Sequence, residues 1–315
     1  MFQENVLLKH HSNYKIGGLA KYFFEAKSIE EIIKAVEKAR LIKTPFFILG
    51  GGTNILFNDE GFDGLIIKIK NSRLRQGFGG QAKIKIIKVD AGVFLERLVE
   101  ESADTGLSGL EWAAGIPGTL GGAIRGNAGA FGGEIKDVIK EVISLDISGL
   151  RSKIIKRNNQ DCKFNYRSSI FKSNGAKEII IEASLLLRKG NRKSIETAIK
   201  QNINYRKERQ PMEYPSLGST FKNIDAGKIA KKQHKSFELI IKNDPFPVIP
   251  AAYLISKAGL NGVSCGGAMI SPKHPNFIVN VLNATASDVK NLIALVKKEV
   301  YKKFRIDLEE EIEIL

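Results

Sequence analysis

The segment from Gly106 to Gly133 sets the strongest limit on how this chain can fold, because it holds ten glycines in 28 residues. Apolar side chains such as Trp112, Ile116 and Phe131 are interleaved with the glycines, so the segment can pack. Glycine loses more backbone entropy on folding than any other residue, and this density is tolerated only where positive φ angles or close backbone approach are needed. Two interpretations follow: main chain held against a large planar or phosphorylated ligand, or tight turns between buried strands.

A second glycine loop, residues 50–54 with the sequence GGGTN, follows a predicted buried strand over Phe46–Leu49. A Rossmann fingerprint or a P-loop requires a helix directly after the glycines, and the P-loop also requires a Gly-Lys-Ser/Thr ending. The residues after Asn54 instead carry β-branched side chains and turn signals, which predict strands. Both motifs are therefore excluded. The loop could still bind a pyrophosphate through successive backbone N–H groups, or it could be an ordinary turn.

At 315 residues, with 43% hydrophobic and 26% charged residues, the chain has room for two or three domains with cores of their own. No apolar run approaches the roughly 18 residues of a membrane span, and residues 1–15 lack the apolar core of a signal peptide. The two cysteines, Cys162 and Cys265, are too few for a disulfide framework. We therefore expect a cytoplasmic protein without a membrane partner.

The formal net charge of +15 raises the question of a nucleic-acid partner. The lysines are scattered, however, and there is no arginine-rich arm, no alternation of aromatic and basic residues and no zinc-finger spacing. We expect an anionic substrate and no nucleic acid. We also expect no metal site, because the histidines stand apart from the cysteines and form no HExxH pattern: His10, His11, His234 and His274.

Apolar spacing, capping signals and turn residues predict helices over residues 28–43, 93–105, 192–208 and 287–303, and strands over residues 137–147, 151–157 and 178–188. The first helix begins with the capping-box pair Ser28 and Glu31. The C-terminal segment RIDLEEEIEIL alternates with period two and predicts a strand that carries Glu309, Glu311 and Glu313 on one face. Such a face is usually solvated, but one carboxylate could reach into a cleft.

Two polar motifs could carry chemistry: NYRSS, centred on Arg167, and GSTFKN, which contains Ser219. A strand conformation would place Ser219, Phe221 and Asn223 on one face. Ser219 has no adjacent histidine and lies in no G-x-S-x-G elbow, so it would be a poor nucleophile. It could still donate a proton to a carbanion. Both motifs are also compatible with ordinary turns.

Six motifs occur together and in order from about residue 12 to the C-terminus: IGGLAKYF, LGGGTNILF, AGIPGTLGGAIRGNAGAFGG, NYRSS, GSTFKN and LEEEI. This combination resembles the UDP-N-acetylenolpyruvoylglucosamine reductase family. The resemblance implies an α+β fold, with a two-subdomain, non-Rossmann FAD-binding module of the vanillyl-alcohol-oxidase-like type followed by an α+β substrate-binding domain. The implied bounds are residues 1–190 for the module, split near 75–90, and residues 191–315 for the C-terminal domain.

The resemblance also implies FAD as the bound cofactor and NADPH as the co-substrate. A module that binds pyrophosphate without a Rossmann helix accounts for the strand after the GGGTN loop. The implied pyrophosphate-binding residues are Gly50, Gly51, Gly52, Thr53 and Asn54. The residues implied to line the rest of the cofactor are Gly115, Ile116, Pro117, Gly118, Gly122, Asn127 and Gly129.

The implied activity reduces UDP-N-acetyl-3-O-enolpyruvoylglucosamine to UDP-N-acetylmuramate, a step of peptidoglycan precursor synthesis. Hydride passes from NADPH through flavin N5 to the β-carbon of the enolpyruvyl ether, and the α-carbon is then protonated. The family comparison matches Ser219 to the proton donor, and Arg167 and Glu311 to the groups that stabilise the enolate-like intermediate. Period-two alternation alone does not choose Glu311 over its neighbours. The substrate contacts are matched to Tyr166, Lys222 and Asn223.

Two features depart from the family pattern. Residues 225–248 form a longer and more basic stretch than is usual after the serine motif, and the extra tyrosine-bearing loop of the longer subclass is absent. We therefore expect the shorter subclass, and a monomer whose partners are the UDP-sugar substrate and NADPH. Two other functions stay open, namely another flavin oxidoreductase with the same FAD module and a non-enzymatic nucleotide-binding protein.

Overall fold

The computed structural model describes residues 2–76, 83–149, 151–175, 177–229 and 237–315. The chain divides into two compact units. The first unit contains Met1–Val6, Ala20–Gly51 and Asp63–Tyr205, and the second contains Leu7–Leu19, Gly52–Phe62 and Arg206–Leu315. This division gives the second unit two segments that precede residue 63. The expected bounds 1–190 and 191–315 stay a prediction, and part of the expected split near 75–90 lies outside the described residues.

The α-helices confirm the predicted helical segments. Ser28 caps the first helix by accepting a hydrogen bond from the Glu31 N–H at 3.3 Å, and Thr285 and Asp288 form a reciprocal capping box on the last. The helices of the described residues are α1 (Ile29–Leu41), α2 (Leu95–Asp104), α3 (Leu120–Gly126), α4 (Ile170–Ser173), α5 (Arg192–Arg209), α6 (Ala251–Lys257) and α7 (Ala286–Phe304).

Strands of mostly two to eight residues alternate with these helices, and the predicted strands over 137–147, 151–157 and 178–188 are confirmed. The strands of the described residues are β1 (Gln3–Leu7), β2 (Leu19–Ala26), β3 (Phe46–Leu49), β4 (Ile55–Leu56), β5 (Phe62–Ile69), β6 (Leu74–Gln76), β7 (Ile84–Asp90), β8 (Leu107–Ser108), β9 (Gly129–Ala130), β10 (Gly133–Glu134), β11 (Ile139–Asp146), β12 (Lys153–Asn158), β13 (Glu178–Lys189), β14 (Ile224–Asp225), β15 (Lys242–Asn243), β16 (Pro247–Ile249), β17 (Ser264–Cys265), β18 (Ala268–Ile270), β19 (Ile278–Asn280) and β20 (Glu313–Ile314).

Besides the two-stranded pair β9-β10, the first unit contains two larger sheets. One has the order β1-β2-β5-β3, with β3 and β5 parallel, so that Phe46 lies opposite Leu65. The other has the order β12-β11-β13-β7-β6 with antiparallel neighbours, and β8 pairs with β13. Many apolar residues of these strands, among them Leu65, Val89 and Leu185, are buried in one cluster with Ile32 and Val36 of α1. The strand after the GGGTN loop, which the sequence predicts in place of a helix, is confirmed as β4 and lies in the second unit.

The second unit packs α6 and α7 with small sheets. Their orders are β14-β16-β15 and β17-β18-β19, and β20 pairs in parallel with β4. Val289 and Val296, on the inward face of α7, are fully buried. Tyr14 is also buried here, and its hydroxyl donates to the Ile278 carbonyl at 2.7 Å. Burial raises the pKa of Tyr14, which stays a neutral donor.

The basic stretch 225–248 is described only in part, because residues 230–236 lie outside the described residues. The described ends of this stretch are paired with each other and with β16. Ile224 pairs with Ile249, and Lys242 pairs with Val248, so the ends of the stretch form the three-stranded sheet β14-β16-β15.

The prediction of a continuous C-terminal strand is wrong. Arg305 has a left-handed conformation (φ 56°), Glu310 makes an isolated bridge with Phe221, and regular pairing is limited to β20. Ile314, expected on the buried face, is 44% exposed. The expected strand at 219–223 is likewise reduced to the single bridge at Phe221. The backbone of the C-terminal segment changes partners along its length, so no one ladder can form.

Candidate active site

The predicted site residues form two groups, one in each unit. The first unit holds Gly50, Gly51, Gly115, Ile116, Pro117, Gly118, Gly122, Asn127, Gly129, Tyr166 and Arg167. The second unit holds Gly52, Thr53, Asn54, Ser219, Lys222, Asn223 and Glu311.

The glycine-dense segment of the first unit uses its glycines in two ways. Gly115 and Gly118 have φ angles of 75° and 123°, where residues with a Cβ are strained. At Gly133 a Cβ would lie 2.5 Å from the indole of Trp112, so the backbone here packs directly against an aromatic ring. Tight turns and close packing inside the protein therefore explain part of the segment. The two turns flank Ile116 and Pro117, and the family comparison assigns both residues to cofactor binding.

Asn127 ends helix α3 in a left-handed conformation with φ 43° and is fully buried. Its amide nitrogen donates to the Glu134 carboxylate at 3.2 Å and to the Asn165 carbonyl at 3.0 Å. Its side-chain oxygen accepts from the Lys136 N–H at 3.3 Å. Asn127 thus ties the NYRSS motif to the glycine-dense segment, and its assignment to the cofactor stays a prediction.

Arg167 lies beside the same segment. Its Nη2 donates to the Gly129 carbonyl at 3.0 Å, and its guanidinium carbon lies 5.1 Å from the centroid of the Tyr166 ring, within the range of a cation–π contact. The backbone of Arg167 is left-handed, with φ 51°. Strained non-glycine residues of this kind cluster at functional sites. The first unit therefore brings together Tyr166, Arg167 and Gly129.

Gly50 lies against the start of helix α3 in the same unit. Thr119 caps this helix, because its hydroxyl accepts a hydrogen bond from the Gly122 N–H at 3.4 Å. A Cβ on Gly50 would lie 2.6 Å from that hydroxyl. The start of the GGGTN loop and the start of α3, two predicted cofactor-binding elements, therefore meet.

The rest of the GGGTN loop is held within the second unit. Gly52 has φ 67°, and a Cβ there would lie 2.0 Å from the His11 carbonyl oxygen. Only glycine fits this position. Asn54 is tied to the C-terminal segment, since its amide donates to the Glu311 carbonyl at 3.1 Å and its carbonyl accepts from the Glu313 N–H at 3.0 Å.

Ser219 and Glu311 belong to one cluster in the second unit. The Glu311 N–H donates to the carbonyl of Thr220, the residue after Ser219, at 2.8 Å. Ser219 is half-buried, whereas the neighbouring Phe221 is only 1% exposed. Asn54 joins the same cluster through its bond to Glu311. The structure therefore brings a predicted proton donor, a predicted stabilising carboxyl group and the end of the GGGTN loop together.

The neighbours of Glu311 have lysine partners. Glu310 pairs with the Lys297 ammonium at 2.9 Å, and Glu309 pairs with the Lys222 ammonium. The backbone of Glu311, by contrast, is the part of this segment that bonds next to the serine. The structure therefore gives lysine partners to the carboxylates of Glu309 and Glu310 and a backbone bond beside the serine to Glu311.

Lys222 and Asn223, the predicted substrate contacts of this unit, are both held by neighbours. The Glu309 carboxylate that pairs with Lys222 is 72% exposed. Because an exposed ion pair contributes only about 0–1 kcal/mol, an anionic ligand can replace Glu309 on the lysine. The side-chain oxygen of Asn223 accepts from the Ala251 N–H at 3.2 Å, at the start of α6.

Three further observations concern a buried cysteine, possible metal ligands and the length of the helices. Burial raises the pKa of the Cys162 thiol to about 12, so the reactive thiolate is scarce at neutral pH. Among the side chains that the structure describes, no group of three or more His, Cys, Asp or Glu is arranged to hold a metal ion. Within the same ranges, no helix has both the length and the apolar character needed to cross a bilayer.

Comparisons with known proteins cover both units. A family profile described as UDP-N-acetylenolpyruvoylglucosamine reductase, C-terminal domain, matches residues 210–315, and one described as FAD binding domain matches residues 20–150. The UDP-N-acetylenolpyruvoylglucosamine reductase of Caldanaerobacter subterraneus subsp. tengcongensis is 40% identical over 99% of this chain and 92% of its own length. The Carboxydothermus hydrogenoformans protein of the same name is 39% identical over 99% and 93%.

A solved structure gives the same result. The crystal structure of the UDP-N-acetylenolpyruvylglucosamine reductase from Thermus caldophilus matches with a TM-score of 0.74 and 30% identity, over 100% of this chain and 99% of that one. The predicted fold class, an α+β FAD-binding module of the non-Rossmann type followed by an α+β domain, is confirmed.

Proposed function

This chain belongs to the UDP-N-acetylenolpyruvoylglucosamine reductase family, and on that basis we propose that it reduces UDP-N-acetyl-3-O-enolpyruvoylglucosamine to UDP-N-acetylmuramate. FAD is the bound cofactor and NADPH the hydride source. The observation that carries this proposal is the 40% identity over 99% of the chain. The backbone bond that joins Glu311 to Thr220 supports it, because it brings the segments that carry the matched residues Ser219 and Glu311 side by side.

The glycine loops fit a large phosphorylated cofactor. Among the described residues, the backbone N–H groups of Gly51 and Gly52 donate no hydrogen bond inside the protein. Consecutive N–H groups of this kind bind phosphate oxygens without a helix dipole. FAD held by these loops would supply the hydride-transfer chemistry between NADPH and the β-carbon of the enolpyruvyl ether. The family comparison assigns Gly50 to Asn54 to the pyrophosphate, and the turns at Gly115 and Gly118 to the rest of the cofactor.

The side chains of Arg167, Glu311 and Ser219 would act on the carbanion that hydride addition produces. When the β-carbon gains hydride, an electron pair remains on the α-carbon and delocalises into the substrate carboxylate. By the family comparison, the Arg167 guanidinium and the Glu311 side chain would stabilise this developing charge. The Ser219 hydroxyl then donates its proton to the α-carbon, which completes the lactyl ether. Lys222, whose present partner is exposed, would bind an anionic group of the substrate, and Tyr166 and Asn223 would make further substrate contacts.

The remaining expectations follow from this activity. UDP-sugars and NADPH are cytoplasmic metabolites, and we infer that the enzyme works in the cytoplasm on a precursor of peptidoglycan, and so serves cell shape and division. A monomer without a nucleic-acid or membrane partner stays a prediction.

Anaerobic half-reactions on the purified protein test the proposal. We expect a yellow protein whose flavin absorbance is bleached by NADPH and restored by the enolpyruvyl nucleotide. A flavoprotein that NADPH bleaches, but that this substrate does not reoxidise, would instead be an oxidoreductase for another substrate. A colourless protein that takes up no added FAD would support the non-enzymatic binding function.

Alanine at Gly52 is expected to give protein with little or no bound FAD. The added Cβ would meet the His11 carbonyl at 2.0 Å, and φ 67° is strained for alanine. Gly259→Ala is the matched control, because Gly259 lies in the same unit with φ 80° and nothing within 4 Å of an added Cβ. Flavin content per protein and a thermal melt of each apoprotein are the measurements. Stoichiometric FAD in folded Gly52→Ala would contradict the assignment of this loop.

A further inference from the structure

Asn276 lies in the turn before β19 of the second unit and is only 3% exposed. Its backbone carbonyl and both polar atoms of its side chain bond to the two residues that follow Ser219. The Asn276 carbonyl accepts from the Thr220 N–H at 2.7 Å. Its side-chain oxygen accepts from the Phe221 N–H at 3.0 Å, and its side-chain nitrogen donates to the Phe221 carbonyl at 2.8 Å.

These bonds complete the backbone of the dipeptide after Ser219. The remaining polar group, the Thr220 carbonyl, accepts from the Glu311 N–H at 2.8 Å. All four backbone donors and acceptors of Thr220 and Phe221 are therefore satisfied by Asn276 and Glu311. The Phe221 ring, 1% exposed, anchors the same dipeptide in the core. Asn276 supplies hydrogen bonds of the kind that a neighbouring strand supplies in a sheet. The backbone of this loop is therefore satisfied although the loop is not a strand.

We propose that Asn276 is a positioning residue for the reduction: it holds the backbone that presents the Ser219 hydroxyl to the α-carbon. The inference rests on the proposed function, in which Ser219 is the proton donor. On the other side of Ser219 stands Gly218, with φ 81° and nothing within 4 Å of an added Cβ. Asn276 therefore holds the two residues directly after the serine, whereas the residue directly before it is a glycine in a left-handed conformation. Proton transfer depends on placement within a fraction of an ångström, and a shift of about 1 Å can cost about 10²-fold in rate.

Asn280 provides a matched control in the same segment. It is also a buried asparagine, 8% exposed, and its amide makes a comparable set of bonds. Its nitrogen donates to the Tyr14 carbonyl at 3.1 Å, and its oxygen accepts from the Ala284 N–H at 2.8 Å. These partners do not include the residues around Ser219. Asn280→Ala should therefore lower stability much as Asn276→Ala does, without changing proton delivery.

The test compares the two half-reactions of the FAD-loaded enzyme by stopped flow, with rates expressed per bound flavin. For Asn276→Ala we expect reduction by NADPH within about twofold of wild type and reoxidation by the enolpyruvyl nucleotide slowed about 10²-fold. Asn280→Ala should leave both rates within about twofold. Equal slowing of reoxidation in the two variants would overturn the proposal, because it would show only a loss of folded structure.

A double-mutant cycle with Ser219→Ala identifies the route by which Asn276 acts. If Asn276 acts through the serine, Asn276→Ala costs less than about twofold once Ser219 is alanine. Full additivity would overturn the positioning role and leave the proposed function intact. A Ser219→Ala enzyme that reoxidises at the wild-type rate would overturn the positioning role together with the proton-donor assignment of Ser219, while the reductase function would stand. Should Asn276→Ala fail to fold, the isosteric Asn276→Asp, which loses the donor to the Phe221 carbonyl, must slow reoxidation selectively, and an unchanged rate would reject the proposal.

Discussion

Ser219→Ala is expected to leave flavin reduction by NADPH nearly unchanged and to slow reoxidation by the enolpyruvyl substrate about 10²–10⁴-fold. The hydroxyl is needed only after hydride has reached the substrate, when the α-carbon must be protonated. Ser219 is half-buried, and the fold around it is held by Phe221 and by backbone bonds that the substitution keeps. The measurement is stopped-flow absorbance of the flavin in each half-reaction under anaerobic conditions.

Ser216 offers a control within the same loop. Its backbone carbonyl accepts from the Asn13 side chain at 2.8 Å, and alanine keeps that carbonyl. Ser216→Ala should therefore leave both half-reactions within about twofold of wild type. If Ser219→Ala slows reduction and reoxidation equally, the serine has a structural role and the proton-donor assignment fails.

The elements that the sequence predicts well are those set by neighbouring residues. The capping of α1 by Ser28 and of α7 by Thr285 depends on residues three positions apart, so it can be recognised in a short window. The strand after the GGGTN loop is recognisable for the same reason, and its local pattern is enough to exclude a Rossmann helix. The inward residues of α7 follow from helical spacing alone.

The strand prediction for the C-terminal segment is wrong because the backbone partners of this segment are distant in sequence. The Glu311 N–H bonds to Thr220 and the Glu313 N–H bonds to Asn54. An extended segment that passes from one partner to another has the same alternation of apolar and acidic residues as a regular strand. Periodicity therefore predicts the buried positions Ile306 and Leu308 correctly, but not the secondary structure.

The candidate site shows the same limit. No local pattern marks Asn276, since asparagine after proline is common in turns, and its importance lies in bonds to residues about 55 positions earlier. The resemblance to a family supplies the positions of Ser219 and Arg167, and the structure supplies their surroundings. The Arg167 side chain donates a hydrogen bond to the Gly129 carbonyl in the glycine-dense segment. The carbonyl of Thr220, directly after Ser219, accepts a hydrogen bond from the Glu311 N–H.

Glu311→Ala is expected to lower the rate of reoxidation about 10²–10³-fold, which is the usual loss when one transition-state donor is removed. Glu311→Gln should retain part of that rate, because an amide also donates a hydrogen bond. Both substitutions keep the backbone N–H that bonds to Thr220. The loss therefore reports on the side chain, provided that flavin content and reduction by NADPH stay near wild type.

The neighbouring carboxyl groups decide whether this assignment has the correct register. Glu309 is 72% exposed in its pair with Lys222, and an exposed pair contributes about 0–1 kcal/mol, so Glu309→Ala should stay within about fivefold of wild type. Glu313 bonds to Asn54 through its backbone N–H, which Glu313→Gln retains, and this variant should also react normally. A different result is a near-normal rate for Glu311→Ala together with a loss of about 10²–10³-fold in Glu309→Ala or Glu313→Gln. That result would show that the family register is displaced by two residues. The stabilising carboxyl group would then belong to that neighbour, because side chains on one face of an extended segment recur at every second residue.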